Sequence, residues 1–212
     1  MKRASFLLAV LLIGYLLYKG LCFRAIYLAV LEKTCFDALP AMIDALDDKS
    51  EPVRGVCIGY FGRRGPQAIR PLVEALNDRS PRRREGAALS LRAVALRHRK
   101  SVAELKRELV SALARAIHDE NPTVRVSAAI ALWHVDRPSK EALSVLIASC
   151  KEHNREARYY AFHWLEEIGP DAKEAVPALI EELNDTDELV RLWAGNTLRE
   201  IDPQTASTLG VP

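Results

Sequence analysis

Cysteine and histidine are the side chains of this 212-residue chain that could act as nucleophiles or as metal ligands. A thiolate attacks electrophilic carbon, and clustered thiolates and imidazoles bind zinc. The four cysteines are too widely spaced for a CxxC site or a disulfide framework, and the five histidines show no HExxH or paired spacing. The sequence also has no glycine-rich phosphate loop and no GxSxG elbow. We therefore predict no catalytic residue, no metal site and no cofactor.

Five arginines recur with spacings of 30, 41, 33 and 33 residues and divide the chain into repeats. They are Arg54, Arg84, Arg125, Arg158 and Arg191. Four residues before each arginine stands a residue type that is favoured as a helix N-cap. These residues are Ser50, Ser80, Asn121, Asn154 and Asp187. Apolar residues at helical spacing on both sides of the arginine mark one face of each of two helices, so each repeat is predicted to be a helical hairpin.

A single hairpin cannot bury both of its apolar faces, so we expect five hairpins to stack around one core. Low aromatic content and the lack of long β-branched runs also favour helices over strands. Cys57 occupies a small-residue position of the repeat and Cys150 an aliphatic position. We interpret both cysteines as packing residues, because a free cysteine behaves as a small hydrophobe.

The repeats resemble HEAT repeats, including the short bacterial repeats that are similar to those of phycobilin lyases. The residues 169–183 (GPDAKEAVPALIEEL) followed by 184–191 (NDTDELVR) carry the resemblance most clearly. It covers about residues 36–202 and implies an all-α fold: a right-handed α-α superhelix, or solenoid, of about five helical hairpins. It further implies a solenoid domain at 35–203 and a short C-terminal tail at 204–212.

In that family the repeated arginines pair with aspartates in the turn between the helices. The resemblance therefore implies a structural ladder in which acidic residues six positions earlier pair with the arginines. They are Asp48, Asp78, Asp119 and Asp185, with Glu152 in the fourth repeat. An anion-binding row of arginines is the alternative. Ser101 and Glu104 form a capping box, which predicts a long helix starting near Val102.

An apolar run from Ala4 to Tyr18 follows Lys2 and Arg3, the layout of a signal anchor. We predict that residues 1–34 form an apolar N-terminal helix that anchors the chain as a single-pass protein, in a bacterial inner membrane, with a weak preference for an exported domain. A buried first helix of a soluble domain is the alternative, and the run is short for a membrane span.

Aromatic residues on the second helices predict a surface for a protein or peptide partner on the concave side of the solenoid. The predicted contact residues are Tyr60, Tyr160, Trp164, Trp193 and Asn196. Ordinary core packing is the alternative for the tryptophans.

Charge is divided unevenly along the chain. Residues 63–107 contain 13 basic and 4 acidic residues, whereas residues 140–202 contain 7 basic and 14 acidic ones. The predicted basic patch consists of Arg79, Arg82, Arg83, Arg97, Arg99 and Lys100. Anionic lipid near the anchor is its predicted partner, and nucleic acid is a less favoured one. We thus predict a non-enzymatic, membrane-tethered scaffold; a bilin-lyase-like enzyme and a nucleic-acid binder are the alternatives.

Overall fold

The computed structural model describes residues 38–211, which belong to two compact units, one before and one after the boundary at residues 99 and 100. The first unit contains α1 (Leu39–Asp44), α2 (Glu51–Arg64), α3 (Ile69–Ala75) and α4 (Pro81–Arg97). Short 3-10 turns at Ala45–Asp47 and Gly65–Ala68 extend α1 and precede α3.

The second unit begins within α5 (Arg99–Glu104) and contains seven further helices. They are α6 (Lys106–Ala116), α7 (Pro122–Val135), α8 (Lys140–Ser149), α9 (Arg155–Ile168), α10 (Val176–Glu182), α11 (Glu188–Ile201) and α12 (Pro203–Thr208). A 3-10 segment, Gly169–Ala175, leads into α10. Every regular element between residues 38 and 211 is a helix, which confirms the all-helical prediction.

Ten of the helices form five hairpins: α1–α2 and α3–α4 in the first unit, and α6–α7, α8–α9 and α10–α11 in the second. The second helix of each hairpin begins directly after its predicted N-cap residue. The Asn154 carboxamide, for example, accepts a hydrogen bond from the Ala157 N–H at 2.9 Å. Ser50 occupies the same position but makes no side-chain cap hydrogen bond.

Packing between successive hairpins uses the second helices. In the first unit α2 packs on α4, and in the second unit α9 packs on both α7 and α11. Helix α7 is buried around nearly its whole circumference, as expected for a helix that is apolar on all sides. Its neighbours within the unit are α6, α8 and α9.

The long helix predicted from Val102 is interrupted. Leu105 has φ −104° and ψ 9°, and its N–H donates to the Val102 carbonyl three residues back, so α5 ends and α6 begins at Lys106. The third hairpin therefore begins at Lys106 and not near Val102, as predicted.

Residues 1–34, predicted to anchor the chain, lie outside the described residues, as does the predicted N-terminal apolar helix. Among residues 38–211, no helix has both the length and the apolar character needed to cross a bilayer. The longest helix there, α4, has only 17 residues and carries a run of arginines. The predicted membrane localisation is therefore corrected, and the lipid partner, which depended on it, is not retained.

Candidate interaction surface

The repeated arginines contact the backbone of their own turn. The guanidinium groups of Arg54, Arg84, Arg125 and Arg191 each donate to the carbonyl oxygen of the residue six positions earlier, at 2.8–3.0 Å. The carboxylates of the turn aspartates accept hydrogen bonds within the turn itself. Asp48, Asp78, Asp119 and Asp185 each accept a bond from the N–H two residues ahead, at 2.7–2.9 Å. Each arginine therefore satisfies carbonyl groups at the end of the first helix, and each aspartate closes the turn.

Pairing with carboxylates occurs between consecutive hairpins of the second unit. Arg125 donates to Glu152, and Arg158 donates to Glu182 and Asp185, while the Arg158 Nε also reaches the Cys150 carbonyl at 2.6 Å. These charge-assisted bonds tie one hairpin to the next. The N–H of Asp187 and then the Arg158 guanidinium hold the pKa of Asp185 below its usual value.

The described cysteines are buried, and two of the histidines lie beside oxygen atoms. Cys57 and Cys150 are fully buried, and burial raises the pKa of the Cys150 thiol, so it stays neutral. The His98 ring lies 3.0 Å from the Gly62 carbonyl oxygen, and the His134 ring lies 3.2 Å from Glu167. Between residues 38 and 211, no three His, Cys, Asp or Glu side chains are grouped in a way that could hold a metal ion.

Helix geometry determines which aromatic residues are exposed. Each residue turns an α-helix by about 100°, which places the sixth residue after the repeat arginine only about 70° from the centre of the core face. Tyr60 and Trp164 occupy that position and are only 5% and 8% exposed. The structure places both predicted contact residues in the core. The first and fifth residues after the arginine lie about 150–170° from that centre and face outward.

Tyr159, which the sequence interpretation missed, occupies the outward-facing first position and is 43% exposed. Its ring packs edge-on against Trp193 with centroids 5.2 Å apart, and it stacks on the exposed His163 at 6.2 Å. Tyr160 and Trp193 are half-buried. We call Tyr159, Tyr160, His163 and Trp193 the aromatic surface. The sequence does contain a signal for Tyr159: as the first residue after the repeat arginine, it lies about 150° around the helix from the centre of the core face.

Aromatic residues of the core pack against the buried side of the aromatic surface. Trp164 stacks on Tyr160 with ring centroids 6.4 Å apart and lies 4.6 Å from the His163 ring. Phe162, which is 2% exposed, lies 6.2 Å from Trp193. Packing on α9 and α11 thus restricts the rotamers of the surface rings. Binding a partner would therefore cost little further side-chain entropy.

Exposed charged side chains, three acidic and one basic (Arg155), share α9 with the aromatic surface. Glu156, Glu166 and Glu167 are exposed on α9, the helix that carries three of its four residues. The stretch 140–202 carries a net charge of −7 from its 7 basic and 14 acidic residues. Asn196, predicted to join this surface, is half-buried on α11, and its side-chain oxygen accepts a hydrogen bond from Arg199.

The predicted basic patch is divided. Arg79 and Arg82 are exposed before and within the first turn of α4, while Arg83 is held by Asp78 at 2.8 Å and by Asp44 at 3.6 Å. Arg97 and Arg99 are exposed at the other end of the helix. A 17-residue helix is about 25 Å long, so these arginines form two separate groups. Lys100 is exposed on α5.

Searches against protein families and curated proteins give no match to the chain. Among solved structures, it is similar to a designed armadillo repeat protein in complex with the peptide (KR)4, at 19% identity and a TM-score of 0.53, with 94% of each chain covered. It is also similar to computationally designed armadillo repeat proteins for modular peptide recognition, at 19% identity and a TM-score of 0.50, again with 94% of each chain covered. At these identities the similarity establishes the fold: an armadillo-type helical repeat. Membership of the HEAT family stays a prediction.

Proposed function

We propose that this chain is a non-enzymatic scaffold whose aromatic surface binds an extended peptide with basic side chains. The observation that carries the proposal is Tyr159, 43% exposed and held edge-on by Trp193 at 5.2 Å. Tyrosine and tryptophan supply large, rigid contact area and dominate the energy of many interfaces. The structurally similar designed proteins, one of them in complex with (KR)4, support a peptide as the partner.

The side chains around the aromatic surface favour a cationic peptide. Aromatic faces attract guanidinium and ammonium groups, and nearby carboxylates add a Coulombic attraction. Glu156 and Glu166 supply such carboxylates from the same helix as Tyr159. Because α9 exposes three glutamates and one arginine, an acidic peptide or a nucleic-acid backbone should bind here more weakly than a basic peptide.

A catalytic role has less support than peptide binding. A lyase-like mechanism would need an accessible thiol or acid in a pocket, whereas Cys57 and Cys150 are both buried in packing positions. A nucleic-acid interface would need a continuous basic surface, and the exposed arginines of α4 are divided between its two ends.

The test is a titration of fluorescently labelled (KR)4 with the full chain, followed by anisotropy, with (DE)4 as the charge-reversed peptide. We expect (KR)4 to bind and (DE)4 not to bind. Tyr159→Ala should weaken (KR)4 binding by about 5- to 10-fold, since truncating an interface anchor typically costs more than about 1 kcal/mol.

Leu96→Ala is the matched control, because Leu96 is 40% exposed, nearly as much as Tyr159, but lies on α4 of the first unit. Its affinity for (KR)4 should equal that of the wild type. Equal affinities of wild type and Tyr159→Ala, no binding of (KR)4, or a preference for (DE)4 would each overturn the proposal.

A further inference from the structure

Two residues of the aromatic surface, Tyr159 and His163, are exposed on the same face of one helix. They lie four positions apart on α9, and a step of four makes two side chains neighbours along a helix. Their rings are parallel to within 5°, with centroids 6.2 Å apart. Parallel rings at that distance are offset, so each ring leaves part of its face uncovered by the other. Helix α9 therefore presents two aromatic rings in one row.

The side chains of an extended peptide repeat at nearly the same spacing. The backbone rises about 3.3 Å per residue and successive side chains alternate between two sides, so side chains i and i+2 share a side and lie about 6.6 Å apart. Side chains i and i+1 point to opposite sides, and side chains i and i+4 lie about 13 Å apart. The 6.2 Å between the Tyr159 and His163 rings therefore matches positions i and i+2 of an extended peptide.

Arginine is the basic side chain that suits these rings and their neighbours best. A guanidinium is planar and stacks on an aromatic face, whereas a lysine ammonium is a compact point charge. Glu166 is exposed three positions after His163, so a guanidinium on the His163 ring has a carboxylate about one helical turn away. At the other end of the row, Arg155 and Glu156 are exposed next to each other and their charges offset. The net acidic end of the row is therefore the one beyond His163.

We infer that the peptide bound by the aromatic surface carries two arginines separated by one residue, an Arg-x-Arg motif. One guanidinium stacks on Tyr159, and the other stacks on His163 beside Glu166. This inference rests on the proposed function, because it specifies the peptide that the same surface binds. It adds a spacing requirement: peptides of equal arginine content should differ in affinity when the spacing between their arginines differs. Long-range attraction between net charges has no such requirement.

Competition against labelled (KR)4, with the full chain at pH 8, where histidine side chains are neutral, tests the inference. Two unlabelled peptides have the same composition and charge: SRSRSRSR contains arginines at positions i and i+2, whereas SSRRSSRR does not. We expect SRSRSRSR to bind about fivefold more tightly, because SSRRSSRR leaves one ring without a guanidinium. SKSKSKSK has the spacing and charge of SRSRSRSR but should bind more weakly, because its ammonium groups cannot stack as planes.

A substitution at the second ring provides another arm. His163→Ala should remove the preference for SRSRSRSR, because only the Tyr159 ring then remains in the row. His153→Ala is the matched control, since His153 is exposed between α8 and α9, and it should keep the preference. Circular dichroism verifies that both variants are folded.

Four results would each contradict the inference. They are equal binding of SRSRSRSR and SSRRSSRR, equal binding of SRSRSRSR and SKSKSKSK, a preference that His163→Ala retains, and no displacement of (KR)4 by SRSRSRSR. If (KR)4 binding still depends on Tyr159 in any of these cases, the proposed function stands and only the Arg-x-Arg inference fails.

Discussion

Arg158 is a repeat arginine that pairs with two acidic side chains. It contacts Glu182 and Asp185 of the next hairpin, whereas the Arg54 guanidinium donates to two carbonyl groups of its own turn. Glu182 is only 7% exposed, so its buried carboxylate relies on Arg158 for a charge-assisted hydrogen bond.

Arg158→Ala should therefore destabilise the protein more than Arg54→Ala. Removing Arg158 leaves the Glu182 carboxylate buried without its guanidinium partner, at a cost of about 3 kcal/mol. Removing Arg54 loses hydrogen bonds to carbonyl groups, at a cost of about 1 kcal/mol. Urea denaturation gives both free energies of unfolding, and equal losses would contradict the distinction between the two arginines.

The lowered pKa of Asp185 predicts how stability depends on pH. A carboxyl whose pKa is lower in the folded state stabilises the protein fully above its unfolded-state pKa of about 3.9. That contribution is lost as the pH falls through the lower folded-state pKa. We expect the unfolding free energy of Asp185→Asn to fall less steeply below about pH 5 than that of the wild type. If urea denaturation shows that the unfolding free energies of the wild type and Asp185→Asn fall equally steeply with pH, this role for Asp185 is refuted.

At the scale of elements, helix boundaries follow from local chemistry that is visible in the sequence. The cap residues and the repeat spacing predict where each second helix begins, and the structure has these starts at the same residues. The break at Leu105 was not predictable, because a helix-favouring residue there adopts a turn conformation that its own neighbours do not specify.

Substitution by alanine should change stability in opposite directions at two glycines that both have open space around them. Gly169 has φ 66° and ψ −139°, a conformation that side chains disfavour, whereas Gly55 is exposed within α2. Neither would bring a Cβ within 4 Å of another atom. Gly169→Ala should destabilise by about 1–3 kcal/mol through backbone strain, and Gly55→Ala should stabilise by up to about 1 kcal/mol. Thermal unfolding measures both, and shifts of the same sign would show that the backbone argument fails.

At the scale of the whole molecule, the sequence predicts the repeat architecture better than the interaction surface. Tyr60 and Trp164 lie at the edge of the apolar face, about 70° from its centre. Their burial depends on the packing of neighbouring helices, which the sequence alone does not give. The contact of Tyr159 with Trp193 joins residues 34 positions apart on separate hairpins. It depends on the packing of α9 against α11, so sequence spacing could not reveal it.

The location of a bound peptide tests the central claim most directly. A (KR)4 peptide carrying one benzophenone group would be irradiated with the full chain, and its attachment sites would be mapped by mass spectrometry. The predicted result is attachment within 155–168 and 188–201, reduced by Tyr159→Ala and unchanged by Leu96→Ala. Attachment mainly within 38–99, or attachment that Tyr159→Ala leaves unchanged, would contradict the account.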